Sequence, residues 1–224
     1  MKGIKVSGYD KTETELTKTL VSEGIEIHYE DNINLLPVEI DLVVYTPAVP
    51  TTHSEYQHLM QNGKTIMKRA QLLGLISKMQ KTIAIAGTHG KTTTSSMTAH
   101  VLLKCGEPIS AFLGGILSGY ETNYFLGESD WVVVEADEFD RSFLHLSPEI
   151  SVVNSIEPDH LDIYGDASHV KESYWDFIHK LRDGQYLLLS EYVIDDLKKE
   201  EVETLQSKYK VKVFGFSEHC DVRL

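Results

Sequence analysis

Short apolar runs alternate with polar stretches of helical period along the first 79 residues. The apolar runs predict four strands, at Ile4–Ser7, Ile25–Tyr29, Asp41–Tyr45 and Thr65–Met67. The stretches between them predict helices at Thr12–Glu23, Ser54–Asn62 and Ala70–Met79. Strands that alternate with helices are typical of βαβ units and a parallel sheet. Pro47 and Pro50 end the third strand and open a loop at its carboxyl end, where open α/β sheets bind ligands.

The same alternation continues from about residue 80. Strands are predicted at Thr82–Ala86, Trp131–Glu135, Ile150–Asn154, Tyr186–Ser190 and Val211–Phe214. One helix is predicted after Thr94 and ends at Leu103, and two more are predicted at His169–Leu181 and Ile194–Lys208. The pattern therefore indicates an α/β chain with one domain at residues 1–79 and a second at residues 80–224. Both domains are expected to be partial, because the chain begins at what reads as a second strand and stops just after a strand.

Composition and charge exclude several classes of protein. The 224 residues are 42% hydrophobic and carry a formal net charge of −13, which disfavours nonspecific binding to nucleic acid or to an anionic membrane. Cys105 and Cys220 form no C-x-x-C pair, so the sequence suggests neither a disulfide framework nor a structural zinc site. We find no apolar run long enough for a membrane span and no signal-peptide core. A cytoplasmic protein without an obligate protein partner is expected.

The strongest chemical signal is the glycine turn Gly87–Thr94, between a buried strand and a helix. Such a turn directs backbone N–H groups at one point, which favours phosphate. The phosphate loop is therefore predicted to comprise Gly87, Thr88, His89, Gly90, Lys91, Thr92 and Thr93. Lys91 would contact the β and γ phosphates, and the Thr92 hydroxyl would ligate Mg²⁺. Only the compact form G-x-x-G-K-T is present, since Ile85 stands where the general motif has glycine; the alternative is a plain glycine turn.

An acidic run, Val133–Asp140, ends the next strand with four carboxylates in six residues. Converging acids usually bind a metal or a basic ligand, and Glu135 is the best candidate for Mg²⁺. The alternative is a solvated acidic loop. Arg141 and Ser142 follow at once, and they either contact phosphate or neutralise the acids.

A third polar segment, Asn154–Gly165, follows the strand predicted at residues 150–154. His160 lies between Asp159 and Asp162 and is suited to complete a metal site, although imidazole is an unusual ligand for Mg²⁺. A helix-capping or packing histidine is the alternative interpretation.

These segments together resemble the Mur ligases in order and spacing. The resemblance rests on Gly87–Thr93, on Glu135–Glu138 with Asp140–Phe143, and on Asp159–Asp162 with Tyr164–Gly165. It extends to Val6–Asp10, Thr46–Pro50 and Phe214–Ser217, and so covers nearly the whole chain. The run Arg141–Pro148 is similar to the members that add L-alanine rather than to those that recycle a murein tripeptide.

The resemblance implies a partial Rossmann-like UDP-binding domain followed by a partial P-loop ATPase domain. It implies ATP and Mg²⁺ as cofactors, UDP-N-acetylmuramate and L-alanine as substrates, and an amide formed through an acyl phosphate. Lys91, Glu135 and His160 would be the catalytic residues. One Mg²⁺ would be bound by Thr92, and a second by Glu135 and His160. Asp10, Thr46, Arg141 and Ser142 would bind substrate.

The sequence also departs from the family. The family's adenine-binding segment and third domain have no counterpart, so the chain alone is expected not to catalyse ligation. Asn154 stands one position before the family's usual asparagine, which puts its contact in doubt. Three alternatives stay open: a tripeptide-recycling ligase, a folylpolyglutamate-type ligase, and a noncatalytic nucleotide-binding remnant.

Overall fold

The computed structural model describes residues 3–159 and 164–223. The chain divides into two compact units, Met1–Arg69 and Ala70–Leu224. Among the described residues, no helix combines the length and the apolar character that crossing a bilayer requires.

The first unit contains two small parallel sheets. One pairs β1 (Ser7–Tyr9) with β2 (Glu26–His28), and the other pairs β3 (Val43–Tyr45) with β4 (Ile66–Lys68). Helices α1 (Glu15–Ser22) and α2 (Ser54–Gln61) follow β1 and β3. The βαβ rhythm predicted from the sequence is therefore confirmed, but β1 lies later than the predicted strand, since Ile4 and Val6 stay exposed.

The helices of this unit begin at side chains that satisfy their first N–H groups. Thr14 caps α1 by accepting a hydrogen bond from the N–H of Thr17 at 3.2 Å. At α2, the Asp31 carboxylate accepts hydrogen bonds from the N–H groups of Ser54 and Glu55. The Ser54 hydroxyl also donates to this carboxylate. Its hydrogen bond, followed by those from the N–H groups, holds the pKa of Asp31 below its usual range.

The second unit is built on an eight-stranded sheet of order β12-β11-β10-β9-β5-β8-β6-β7. All neighbouring strands are parallel except β6 and β7. The strands are β5 (Lys81–Ala86), β6 (Ser110–Leu117), β7 (Thr122–Phe125), β8 (Trp131–Glu135), β9 (Ile150–Val153), β10 (Tyr186–Ser190), β11 (Lys210–Gly215) and β12 (Val222–Arg223). The helices are α3 (Arg69–Met79), α4 (Lys91–Lys104), α5 (Ala167–Ile178), α6 (Glu191–Asp195) and α7 (Lys199–Lys208).

Two features of this unit differ from the sequence prediction. The β6–β7 hairpin was not predicted, because β6 contains Gly114 and Gly115, and glycine is unfavourable inside a strand. The single helix predicted at Ile194–Lys208 is wrong, since α6 ends at Asp195 and α7 begins at Lys199. The N–H of Lys198 donates to the Glu201 carboxylate at 2.7 Å, which starts the new helix.

The main core lies between the sheet and α5, which buries Val170, Tyr174, Phe177 and Ile178. A 3₁₀ segment at Phe139–His145 packs on this helix. Its Phe143 is fully buried and stacks on Phe177 with ring centroids 5.0 Å apart. The core therefore fixes the position of the acidic run that precedes Phe143.

Helix α3 falls in the second compact unit. The N–H of Ser147 donates to the Ser77 hydroxyl at 3.0 Å, and Gly74 packs directly against the backbone of His145. The compact units thus divide at residues 69 and 70. The domain boundary between residues 79 and 80 stays a prediction.

Candidate functional site

Three neighbouring strands of the second unit end at the same edge of the sheet. Strand β5 lies between β9 and β8, with Ala86 in register with Val153 and Ile85 in register with Glu135. The chain leaves these strands as the glycine turn, the acidic run and the segment that begins at Asn154. The three polar segments singled out in the sequence are therefore brought together, as far as the last of them is described.

The glycine turn connects β5 to α4 with two left-handed glycines. Gly87 has φ 141° and Gly90 has φ 77°, and a Cβ on Gly87 would lie 3.0 Å from both Asn154 Cβ and Ser155 N. Neither the backbone conformation nor the space admits a side chain at Gly87. Helix α4 begins immediately afterwards at Lys91, so its free N–H groups lie at the turn, as expected for a phosphate site.

Hydrogen bonds tie the turn to the segment after β9. The N–H of Thr88 donates to Ser155 O at 3.1 Å, and the N–H of His89 donates to Ser155 Oγ at 2.9 Å. The buried Thr88 hydroxyl accepts from Glu157 N at 2.9 Å and donates to Glu157 O at 3.1 Å. The segment that follows β9 thereby fixes the conformation of the turn.

Lys91 lies inside the site and pairs with Glu138. Its Nζ lies 2.9 Å from Glu138 Oε1 and 2.8 Å from Oε2, and it donates to Gly87 O at 2.7 Å. The two side chains are only 15% and 3% exposed. Lys91 is thus part of a buried ion pair, and Glu138 belongs to no solvated loop.

Thr92 and Glu135 present adjacent oxygen atoms next to the turn. Thr92 Oγ1 lies 3.0 Å from Glu135 Oε1, while Glu135 Oε2 accepts from Gly114 N at 2.9 Å and from Ser95 Oγ at 3.3 Å. A Cβ on Gly114 would overlap the Glu135 carboxylate, so any side chain there would displace that carboxylate from its position. A hydroxyl and an oriented carboxylate are hard donors of the kind that Mg²⁺ prefers. His160, which was predicted to bind the second Mg²⁺ together with Glu135, lies outside the described residues.

The backbone after Glu138 adopts an uncommon conformation. Asp140 and Arg141 have φ of 51° and 54°, in the left-handed region that non-glycine residues seldom adopt. The Tyr164 hydroxyl donates to Glu138 O at 2.6 Å, and the Arg141 guanidinium lies 5.5 Å from the centre of the Tyr164 ring. Burial, with the Glu138 carboxylate adding to it, raises the pKa of Tyr164, so the hydroxyl stays a donor. These contacts place Arg141 beside the acidic run.

The remaining predicted residues lie at strand ends or on the surface. Asp10 is exposed just after β1, and Thr46 is partly buried just after β3. Thr93 is exposed on the first turn of α4, and Ser142 is partly buried in the 3₁₀ segment. Their predicted contacts with nucleotide or substrate stay predictions.

Asn154 and Gly114 were not among the predicted site residues. Asn154 Nδ2 donates to Thr94 Oγ1 at 3.0 Å and lies under Gly90, so the asparagine whose position departs from the family pattern does contact the turn and α4. A polar residue at the carboxyl end of a buried strand was the available signal for Asn154. Nothing in the sequence pointed to Gly114, because its contact comes from a strand that was not predicted.

Two family models match the chain. One, described as the Mur ligase middle domain, matches residues 85–223. The other, described as the Mur ligase family catalytic domain, matches residues 1–81.

Curated proteins similar to this chain include two named UDP-N-acetylmuramate–L-alanine ligase. The protein from Cytophaga hutchinsonii is 50% identical over 188 residues, covering 80% of this chain and 40% of that protein. The protein from Flavobacterium johnsoniae is 50% identical over 192 residues, covering 84% and 43%. The chain therefore spans about two fifths of the length of these relatives.

Two solved structures share the fold. The UDP-N-acetylmuramate:L-alanyl-γ-D-glutamyl-meso-diaminopimelate ligase from Neisseria meningitides superposes with a TM-score of 0.83 at 24% identity, covering 98% of this chain and 72% of that one. The UDP-N-acetylmuramate-alanine ligase from Thermotoga maritima gives a TM-score of 0.77 at 27% identity, covering 96% and 47%. The α/β fold class predicted from the sequence is confirmed.

Proposed function

Because the chain belongs to the Mur ligase family, we propose that it carries the phosphate-binding and metal-binding part of an ATP-dependent ligase that joins L-alanine to UDP-N-acetylmuramate. The observation that carries the proposal is the convergence of Lys91, Thr92 and Glu135 at one edge of the sheet. The curated relatives at about 50% identity support the choice of substrates.

The glycine turn would bind the polyphosphate of ATP. The N–H groups at the start of α4 lie at the turn, and the Lys91 ammonium lies 2.7 Å from Gly87 O in the same turn. Phosphate oxygens would compete with Glu138 for the Lys91 ammonium, since all are acceptors of the same group. Phosphoryl transfer asks the protein mainly for positioning and charge neutralisation, and these residues supply both.

Thr92 and Glu135 would hold Mg²⁺. Their oxygens already lie 3.0 Å apart, and Gly114 N and Ser95 Oγ orient the carboxylate as outer-shell partners do in metal sites. When bound, Mg²⁺ neutralises charge on the transferring phosphoryl group. The lactyl carboxylate would accept that phosphoryl group, and the amino group of L-alanine would then attack the acyl phosphate and release phosphate. No protein nucleophile is required.

A ligase that recycles a murein tripeptide is the second candidate. The neisserial ligase of this kind shares the fold with a TM-score of 0.83, but at 24% identity this likeness reports the fold alone and does not choose between the substrates. The higher identity to proteins named as alanine ligases favours L-alanine. Both candidates make the same use of Lys91, Thr92 and Glu135.

A chimera tests the proposal. The aligned segment of the Cytophaga hutchinsonii ligase is replaced by residues of this chain, and phosphate release is followed with ATP, Mg²⁺, UDP-N-acetylmuramate and L-alanine. We expect alanine-dependent release in the chimera and a drop of roughly 1,000-fold in the same chimera carrying Lys91→Met, in line with losing one transition-state charge contact. A folded chimera that releases no phosphate, or one in which Lys91→Met is fully active, would overturn the proposal.

A further inference from the structure

A second group of chemically reactive side chains lies at the end of β10 and in the turn after β11. Glu191 begins α6, and His219 and Cys220 lie in the turn between β11 and β12. A carboxylate oxygen, a ring nitrogen and the thiol sulfur of these residues lie within 4.8 Å of one another. None of the three takes part in the site described above.

The Glu191 carboxylate is fixed in place by the backbone of the turn. Oε1 accepts from Phe216 N at 3.0 Å, and Oε2 accepts from Ser217 N at 3.0 Å and from the Ser217 hydroxyl. Gly215 allows this approach, because a Cβ there would lie 2.5 Å from Glu191 Cδ. Carboxylates that ligate metals are usually held in this way by outer-shell hydrogen bonds. Glu191 is therefore a preoriented ligand as well as an anchor of the turn.

The distances suit a small tetrahedral ion. Zinc bonds of about 2.3 Å to sulfur and about 2.0 Å to nitrogen or oxygen put ligand atoms roughly 3.3 to 3.7 Å apart. Glu191 Oε2 already lies 3.7 Å from Cys220 Sγ. His219 is exposed, and the 4.8 Å limit means that its ring needs to move by at most about 1.5 Å to close the remaining separations.

The donor types select the metal. A thiolate with an imidazole and one carboxylate is a borderline-soft set, which favours Zn²⁺ over Mg²⁺ or Ca²⁺. The Asp195 carboxylate, 3.7 Å from His219 Nε2, adds negative charge beside the imidazole. The phosphate site, by contrast, offers the hydroxyl and carboxylate oxygens of Thr92 and Glu135. The two groups of donor atoms therefore differ in the metals that they favour.

We propose that Glu191, His219 and Cys220 bind one Zn²⁺ ion, with water or Asp195 as the fourth ligand. The Cys220 thiol loses its proton to solvent as the zinc–sulfur bond forms, and no oxidation or reduction takes place. The bound ion would fasten the turn between β11 and β12 to α6. Because β12 is a two-residue edge strand, this link would stabilise the end of the sheet.

Cobalt titration tests the site directly, since Co²⁺ bound to a thiolate absorbs by charge transfer in the near ultraviolet. The untagged chain is titrated with Co²⁺ and then with competing Zn²⁺, and bound metal is counted per chain. Cys105→Ser is the matched control, because Cys105 is the other free cysteine and is exposed. We expect one charge-transfer site in the parent and in Cys105→Ser, and none in Cys220→Ser.

A second variant keeps the test decisive if Cys220→Ser unfolds. His219 is exposed, so His219→Ala should preserve the fold, which thermal unfolding checks. It should weaken zinc binding by more than the roughly 10- to 100-fold that loss of an outer-shell partner causes. Zinc should also raise the melting temperature of the parent and not that of His219→Ala. Absence of the charge-transfer band in the folded parent, its loss in Cys105→Ser, or unchanged zinc affinity in His219→Ala would each show that Glu191 only anchors the turn.

Discussion

The Lys91–Glu138 pair makes a stability prediction that cannot be read from the sequence alone. In the sequence, Lys91 stands in the glycine turn, and nothing near it marks Glu138 as its partner. In the structure its side chain is 15% exposed and its partner Glu138 is 3% exposed. Replacing Lys91 by methionine keeps most of the volume and removes the charge, so it leaves a buried carboxylate without its cation.

The expected cost follows from that burial. Breaking a buried ion pair by removing one partner costs about 3 to 5 kcal/mol. We expect the lower end, about 3 kcal/mol, because the Lys91 side chain is 15% exposed and some water therefore reaches the pair. For a unit of this size that loss corresponds to a fall of roughly 6 to 12 °C in melting temperature, at about 2 to 4 °C per kcal/mol.

A double-mutant cycle measures the pair. Urea unfolding at pH 7 without nucleotide or metal is compared for the parent, Lys91→Met, Glu138→Gln and the double variant. The double variant should recover about 2 kcal/mol relative to Lys91→Met, because it leaves no unpaired buried charge. The control cycle uses Lys199 and Glu203, an exposed i,i+4 pair 3.8 Å apart, which should couple by only about 0.3 to 0.5 kcal/mol. If both cycles give the same small coupling, the argument from burial is refuted.

Three further predictions concern other parts of the second unit. Hydrogen bonds from Phe216 N and from Ser217 lower the pKa of Glu191 from 4.5 to about 2, so its charged form stabilises the fold above pH 4.5, and that contribution is lost as the pH falls toward 2. Glu191→Gln should therefore have a lower melting temperature than the parent at pH 7. In EDTA, the difference between the two melting temperatures should shrink as the pH falls from 4.5 to 2, and a difference that is independent of pH would contradict this. In the active chimera, Gly114→Ala and Glu135→Gln should both raise the Mg²⁺ concentration needed for half-maximal phosphate release, because the added Cβ would displace the carboxylate; overlapping magnesium curves would remove Glu135 from the metal site. Phe143→Ala should lower the free energy of unfolding by about 3 to 5 kcal/mol in urea titrations, and a cost below about 1 kcal/mol would show that this ring is not part of the core.

Much of the site was predictable because it depends on local sequence. Gly87, Gly90 and Lys91 occur in a fixed order between a strand and a helix, and this order specifies a turn with free N–H groups whatever surrounds it. Parallel strands end at a common edge, so the alternation of strands and helices also placed Glu135 near that turn. Family membership and fold class followed from these motifs and their spacing.

Other features depend on contacts between residues far apart in sequence. Glu138 pairs with Lys91 across 47 positions, and Asn154 contacts Thr94 across 60, so neither partner is evident from local pattern. Tertiary packing also sets the break between α6 and α7, where the local sequence favours a continuous helix. It likewise sets the strand that carries Gly114, where the glycines disfavour a strand.

Cys220 shows the same division between sequence and structure. Cysteine spacing suggested no zinc site, because a spacing rule reads only ligands that are close in sequence. Glu191 reaches Cys220 across 29 positions, when β10 and β11 pair in parallel and bring the start of α6 beside the turn after β11. By itself the sequence determined the phosphate loop and the order of strands and helices, since these depend on neighbouring residues. Only the tertiary structure decided which charged groups are buried together, because burial depends on how distant segments pack.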